Sequence, residues 1–221
     1  MAEVADEIGS GWPEPESDDL GRYLEDTITI DWQSPAIMQR SKTLLEGLTE
    51  PEDRVTALFE FVRDEIDHSI DNTRGLDPMV TTCSASEVLK EGTGLCYAKS
   101  HLLAALLRVA GYPTGFCYVR LVSGERADKL VLHGFNAVYW KPTSDWIFLD
   151  PRGNRAAQGD EPALEAEARF APPFSMPWAP DASLGEAFLP FIYRRPAKRI
   201  VDLLERAPDF AAVRRNLPDS L

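Results

Sequence analysis

Gly92-Thr93-Gly94-Leu95-Cys96-Tyr97-Ala98-Lys99-Ser100 runs on through Leu102, Leu103, Leu106, Leu107 and Ala110 to Gly111 and Pro113. Apolar residues at these intervals share one face of a helix, and a glycine followed two residues later by proline closes one. A helix is expected from about Cys96 to Ala110, with Cys96 in its first turn behind a glycine-bearing turn. That position has chemical meaning. A free thiol, with a pKa of about 8.5, is only a few per cent thiolate at neutral pH. The unpaired N–H groups and positive dipole end of a helix start stabilise the anion.

Outward from this helix the pattern changes on each side. Upstream, Ser34-Pro35 reads as a cap with proline at the first helical position, opening a helix over 36–48 that carries Ile37, Leu44, Leu45 and Leu48. Thr49-Glu50-Pro51-Glu52 opens a second, with Val55, Leu58, Phe59, Val62 and Ile66 as its apolar stripe. Ser84 or Ser86 can cap a short helix through Lys90, and Asp71 to Asp77 is turn chemistry. Downstream the period becomes two. Thr114–Val122, Leu130–Trp140 and Asp145–Leu149 read as strands joined by connections short enough for antiparallel neighbours. The fold class is α+β: a helical half packed on an antiparallel sheet.

Three domain-level expectations follow. Residues 1–20 read as a flexible acidic arm, since ten acids face one base from Met1 to Asp31. Residues 21–155 form the core, in which 23–32 is an edge-strand candidate. Residues 156–221 form a Pro-rich excursion followed by two short helices that wrap the core, near 200–206 and 210–216.

Composition narrows the function. The chain has 221 residues, 36 acids, 23 bases and a formal charge of −13. That surplus repels phosphate backbones and anionic lipid, so neither nucleic-acid nor membrane binding is expected. No apolar run has the length of a membrane span, and the acidic start lacks a signal-peptide pattern, so a cytoplasmic location is expected. Three unpaired cysteines argue against a disulfide framework. No close ligand pair suggests zinc, and no calcium, phosphate or dinucleotide loop is present; no cofactor is expected.

His133 follows Cys96 by thirty-seven residues on the second strand, and Asp150 follows His133 by seventeen at the end of the third. If those strands pair, both side chains can share one face. Asp150 can then hold the His133 ring in the orientation that lets it act as base toward Cys96. Taken singly, each residue has a plainer reading: a buried thiol, a core histidine, an aspartate opening a turn. The three together favour chemistry.

These segments resemble the transglutaminase-like superfamily. Gly92 to Ser100 is similar to its cysteine helix, His133-Gly-Phe-Asn-Ala-Val-Tyr-Trp140 to its histidine strand, and Trp146-Ile-Phe-Leu-Asp150-Pro151 to its aspartate strand. The resemblance covers roughly residues 50–155 and departs at Phe135, where many members carry Trp. It implies a papain-like core with Cys96, His133 and Asp150 as a triad, and an acyltransferase or hydrolase acting on a peptide, protein or small amide through a thioester. The alternative is a non-catalytic binding module that retains the triad on the same fold. The Cys96 N–H is an expected oxyanion donor. Thr93 and Tyr97 are candidates for a second donor, and His68 and Arg74 for reaching the same cleft. Cys83 and Cys117 read as structural thiols, and Lys99 and His101 as solvent-facing residues of the cysteine helix.

Overall fold

The computed structural model describes residues 11–71, 80–124, 128–152 and 180–221. Chain order is β1 (Glu14–Pro15), α1 (Pro35–Leu44), α2 (Pro51–Glu60), β2 (Asp67–His68), α3 (Ala85–Glu91), β3 (Thr93–Gly94), α4 (Cys96–Val109), β4 (Thr114–Val122), β5 (Leu130–Trp140), β6 (Asp145–Leu149), β7 (Ala187–Phe188), β8 (Phe191–Ile192), α5 (Lys198–Arg206) and α6 (Phe210–Arg215). A π-turn at Phe61–Glu65 continues α2. None of the described helices is long and apolar enough to cross a membrane.

The helix α4 is the axis of the molecule. The helices α1, α2 and α3 pack on one side of it and the strands β4 and β5 on the other. Every residue from Cys96 to Arg108 is buried as a result. This overturns the expectation of a solvent-facing side: Lys99 and His101 are each 1% exposed. A helix enclosed on all sides must satisfy its polar groups internally. Lys99 Nζ donates to the carbonyls of Arg63 (3.2 Å) and Ile66 (2.6 Å). His101 Nδ1 meets the Cys83 carbonyl at 2.7 Å. Arg108 donates to the carbonyls of Glu25, Thr114 and Arg194.

The expected helices are present for identifiable reasons. Ser34 caps α1 by accepting the Ile37 N–H, with Pro35 in the first turn. Ser84 and Glu87 form a reciprocal capping box on α3, which ends at Gly92 in the left-handed region (φ 68°). Val55, Leu58, Phe59, Val62 and Ile66, the stripe expected for the second helix, are all in the core. The main sheet has the order β6-β5-β4-β7, and every neighbour is antiparallel. Its helix-facing side joins Leu102, Leu103, Phe116, Leu132 and Val138 in the larger core cluster. Its other side holds Tyr23, Cys117, Val119, Phe135, Phe188 and Ile192.

The N-terminal region departs from expectation. No edge strand forms over 23–32. A 3-10 turn over Leu20–Leu24 is capped by Asp19, and Tyr23 enters the outer core. Side-chain-to-main-chain bonds then bend the chain: Thr27 Oγ1 accepts the Ile30 N–H, and Trp32 Nε1 donates to the Leu24 carbonyl. Local Asp and Thr acceptors have outcompeted the β-branched pattern. The part of the acidic arm within 11–20 is held on the sheet. Trp12 stacks on Phe148 and Phe188, and β1 pairs with β8. At the other terminus, β7 extends the sheet beside β4, and Ile200, Leu204, Phe210 and Val213 bring α5 and α6 onto the core.

Candidate active site

Cys96 is the first residue of α4. The preceding Leu95 is extended, and no side chain caps the helix. The short parallel pairing of β2 with β3 sets His68 opposite Gly94, two residues ahead of Cys96. The Cys96 N–H consequently donates to His68 Nε2 at 3.1 Å. On the sheet side, β5 and β6 pair with Asn136 opposite Leu149, which brings the residue just past β6 alongside the start of β5. His133 Nε2 donates to Asp150 Oδ2 at 2.9 Å, with side-chain exposures of 12% and 4%. Cys96 lines the same cleft as this imidazole and is among the groups that raise its pKa.

The electrostatics follow from this geometry. Burial works against a charged imidazole at His133. The Asp150 carboxylate and the Cys96 sulfur outweigh it, and the His133 pKa is pushed up to about 10. Burial also works against a charged Asp150, but His133 and the Arg152 N–H hold its carboxyl below the usual range. Asp150 Oδ1 accepts that Arg152 N–H at 2.9 Å, so the aspartate does open an Asx turn through Pro151 while its other oxygen binds His133. The plain reading of Asp150 and the chemical one are both satisfied by one carboxylate.

Gly134 sets the distance between the two halves. A Cβ there would lie 2.6 Å from Tyr97 Cδ1, so only glycine lets the first turn of α4 approach β5 this closely. Two further polar links hold the junction: Ser100 Oγ donates to the carbonyls of Cys96 and Gly134, and Asn136 Nδ2 donates to those of Ser100 and Gly115.

The structure thus brings Cys96, His133, Asp150 and His68 into one cleft of about 1030 Å³. Two other candidates lie elsewhere. The Thr93 hydroxyl donates to the Asp67 carbonyl, and the Tyr97 hydroxyl donates to the Leu132 carbonyl; neither residue lines the cleft. Both side chains are occupied in joining elements, which explains why neither faces the space in front of Cys96. Arg74 lies outside the described residues. Arg152 was missed in the sequence. Its guanidinium is 2.9 Å from both His68 ring nitrogens and 3.5 Å from Asp71. The Asp150-Pro151-Arg152 turn is the local signal that could have found it. Lys129, Arg214 and Arg215 also line the cleft, and nothing in the motifs pointed to them. No group of three or more potential metal ligands occurs among the described residues. Cys83 and Cys117 are buried free thiols that do not line the cleft.

Similarity to known proteins agrees with this architecture. The family model for the transglutaminase-like superfamily core matches residues 39–151. Among solved structures, a candidate cysteine protease from Cytophaga hutchinsonii is 15% identical with a TM-score of 0.50, covering 62% of this chain and 43% of that one. The periplasmic domain of TgpA from Pseudomonas aeruginosa is 19% identical with a TM-score of 0.43, covering 60% of this chain and 46% of that one. The alignments thus take in less than half the length of either. No curated protein matches the sequence. With the cysteine helix packed on the histidine-bearing sheet and a matched core spanning half its length, the chain belongs to the transglutaminase-like superfamily.

Proposed function

We propose that the chain is a cysteine-dependent amide hydrolase or acyltransferase, with Cys96 as nucleophile, His133 as acid–base and Asp150 as the group that orients and charges His133. The observation that carries this reading is the part-buried His133–Asp150 pair set against the thiol at the start of α4. A carboxylate that raises the imidazole pKa favours the thiolate–imidazolium state, in which the sulfur is nucleophilic.

In this mechanism Cys96 Sγ attacks the amide carbonyl carbon. The C–N bond breaks, and the departing amine takes its proton from His133. The resulting thioester is released by water or a second amine, whose proton returns to His133. The Cys96 N–H stabilises the developing oxyanion, which requires the carbonyl oxygen to replace His68 Nε2 as its acceptor. His68 thus becomes the residue that the substrate displaces.

The same contact favours the second reading. A cleft whose backbone donor is already satisfied by His68 also suits a module that binds without reacting. Alkylation separates the two. Iodoacetamide labelling of Cys96 against pH, read by mass spectrometry with buried Cys83 and Cys117 as references, is expected to be fast at neutral pH and to slow roughly tenfold or more in His133→Ala. An ordinary Cys96 rate that ignores His133→Ala would leave the binding module as the reading to pursue.

A further inference from the structure

The cleft carries a charge opposite to that of the chain. The protein as a whole is −13. Among the described residues its cleft is lined by Lys129, Arg152, Arg214 and Arg215 against two acids, Asp150 and Glu186, with Arg152 itself paired to Asp71 at 3.5 Å. Both acids are already engaged. Asp150 is bound to His133 and to the Arg152 N–H. Glu186 accepts the Val122 N–H through one oxygen and the Asp181 N–H through the other, each at 2.9 Å. Among the described residues, no carboxylate lies within ion-pair distance of Lys129 or Arg215. The cations come from three separate places, the turn before β5 (Lys129), the turn after β6 (Arg152) and the last turn of α6 (Arg214 and Arg215), so the cleft collects positive potential that none of them has alone. Between them, Leu121, Val122, Val131 and Leu217 supply an aliphatic wall. The volume, about 1030 Å³, exceeds the space of one side-chain amide and accommodates several residues of a chain.

We propose that this cleft selects acidic peptides, with Asp or Glu side chains flanking the amide presented to Cys96. The proposal rests on the cysteine chemistry above and names the substrate class for it. Aspartate and glutamate carboxylates pair with Lys129 and Arg215 while the backbone of the peptide lies along the aliphatic wall. A field of one sign in a walled cleft also speeds encounter with the opposite charge, and salt weakens it.

The test uses three chloroacetyl peptides of equal length, rich in Glu, Ser or Lys, as probes of the full chain. The thiolate displaces chloride from each, and the Cys96 adduct is quantified by intact mass and peptide mapping. Each rate is divided by the iodoacetamide rate of the same sample, which removes differences in thiol reactivity. At low salt the Glu peptide is expected to label roughly tenfold faster than the Lys peptide, as two or three screened surface pairs would give. The preference should shrink several-fold at about 1 M salt, where the Debye length is ~3 Å. It should collapse or invert in Lys129→Glu/Arg215→Glu, whose fold is checked by thermal melting. A Glu-to-Lys ratio within about twofold, or a preference that survives the charge reversal, overturns the proposal. The cysteine-chemistry reading fails on a different result, an iodoacetamide rate that does not respond to His133→Ala, so the two failures are told apart.

Discussion

His101, buried within α4, and His133, part-buried on β5 facing its start, have surroundings that drive the imidazole in opposite directions. Around His101, burial disfavours the cation. The Cys83 carbonyl offsets this only in part, Arg108 adds to it, and the pKa falls to about 4. Around His133, burial acts the same way, but Asp150 and Cys96 overturn it and the pKa rises to about 10. The magnitudes make this reasonable. Moving an ion into a protein interior costs several kcal/mol after relaxation. A unit charge about 4 Å away returns about 4 kcal/mol at an effective dielectric constant of 20. One well-placed carboxylate therefore decides whether a buried histidine is a neutral packing residue or a cation poised beside a thiol.

Asp150→Asn breaks the contrast most directly, by giving His133 surroundings closer to those of His101. Removing one partner of a buried ion pair costs roughly 3–5 kcal/mol. The His133 ring can shed its proton, so a value near the lower end is expected in denaturant unfolding. The ring C–H resonances of His133 should then titrate below the usual histidine value, and Cys96 alkylation at neutral pH should slow. An unchanged titration would mean that Asp150 does not set the charge of His133.

The pH dependence of stability sharpens the comparison, because the two histidines have opposite signs. The folded pKa of His101 lies below the unfolded value of about 6.5. Below that pH the unfolded chain takes up a proton that the folded chain refuses, so stability falls as pH drops toward 4, by up to about 3 kcal/mol. The folded pKa of His133 lies above the unfolded value. Its contribution is complete below about 6.5 and is lost as pH rises toward 10. In thermal melts, His101→Gln is expected to flatten the acid limb and His133→Gln the alkaline one. Identical changes in both variants would refute the distinction.

Two smaller effects probe what holds the regions apart. Gly134→Ala drives a methyl into Tyr97 and should cost ~1–3 kcal/mol as overpacking, together with slower Cys96 alkylation as α4 moves off β5. Lys99→Met leaves the Arg63 and Ile66 carbonyls without this donor, deep on the helical side. A loss of about 1–2 kcal/mol is expected in its melt, with the relative alkylation rate of Cys96 unchanged.

The contrast also explains what was legible beforehand. The bounds of the strands Thr114–Val122, Leu130–Trp140 and Asp145–Leu149 follow from a period of two with clear turn punctuation. The start of α4 at Cys96 follows from the glycine-bearing turn before it. The same local method misplaced Lys99 and His101, because an apolar stripe marks the most hydrophobic face of a helix and does not say whether the opposite face is also covered. It misread 23–32 as a strand because Asp19 and Thr27 act as main-chain acceptors there, an effect that a β-branched count does not register.

Legible from sequence alone were the three central helices, the three long strands, the place of Cys96 at a helix start, and the positions of His133 on one strand and Asp150 at the end of its neighbour. These are consequences of spacing, periodicity and caps, all of which act over a few residues. Long-range packing set the rest: His68 sits on the Cys96 N–H, Arg152 reaches back to His68, and Lys129 and Arg215 line one cleft. Those contacts join residues from twenty-eight to more than eighty positions apart. They depend on the register of two-residue strands and on the docking of α6, which no short stretch of sequence specifies.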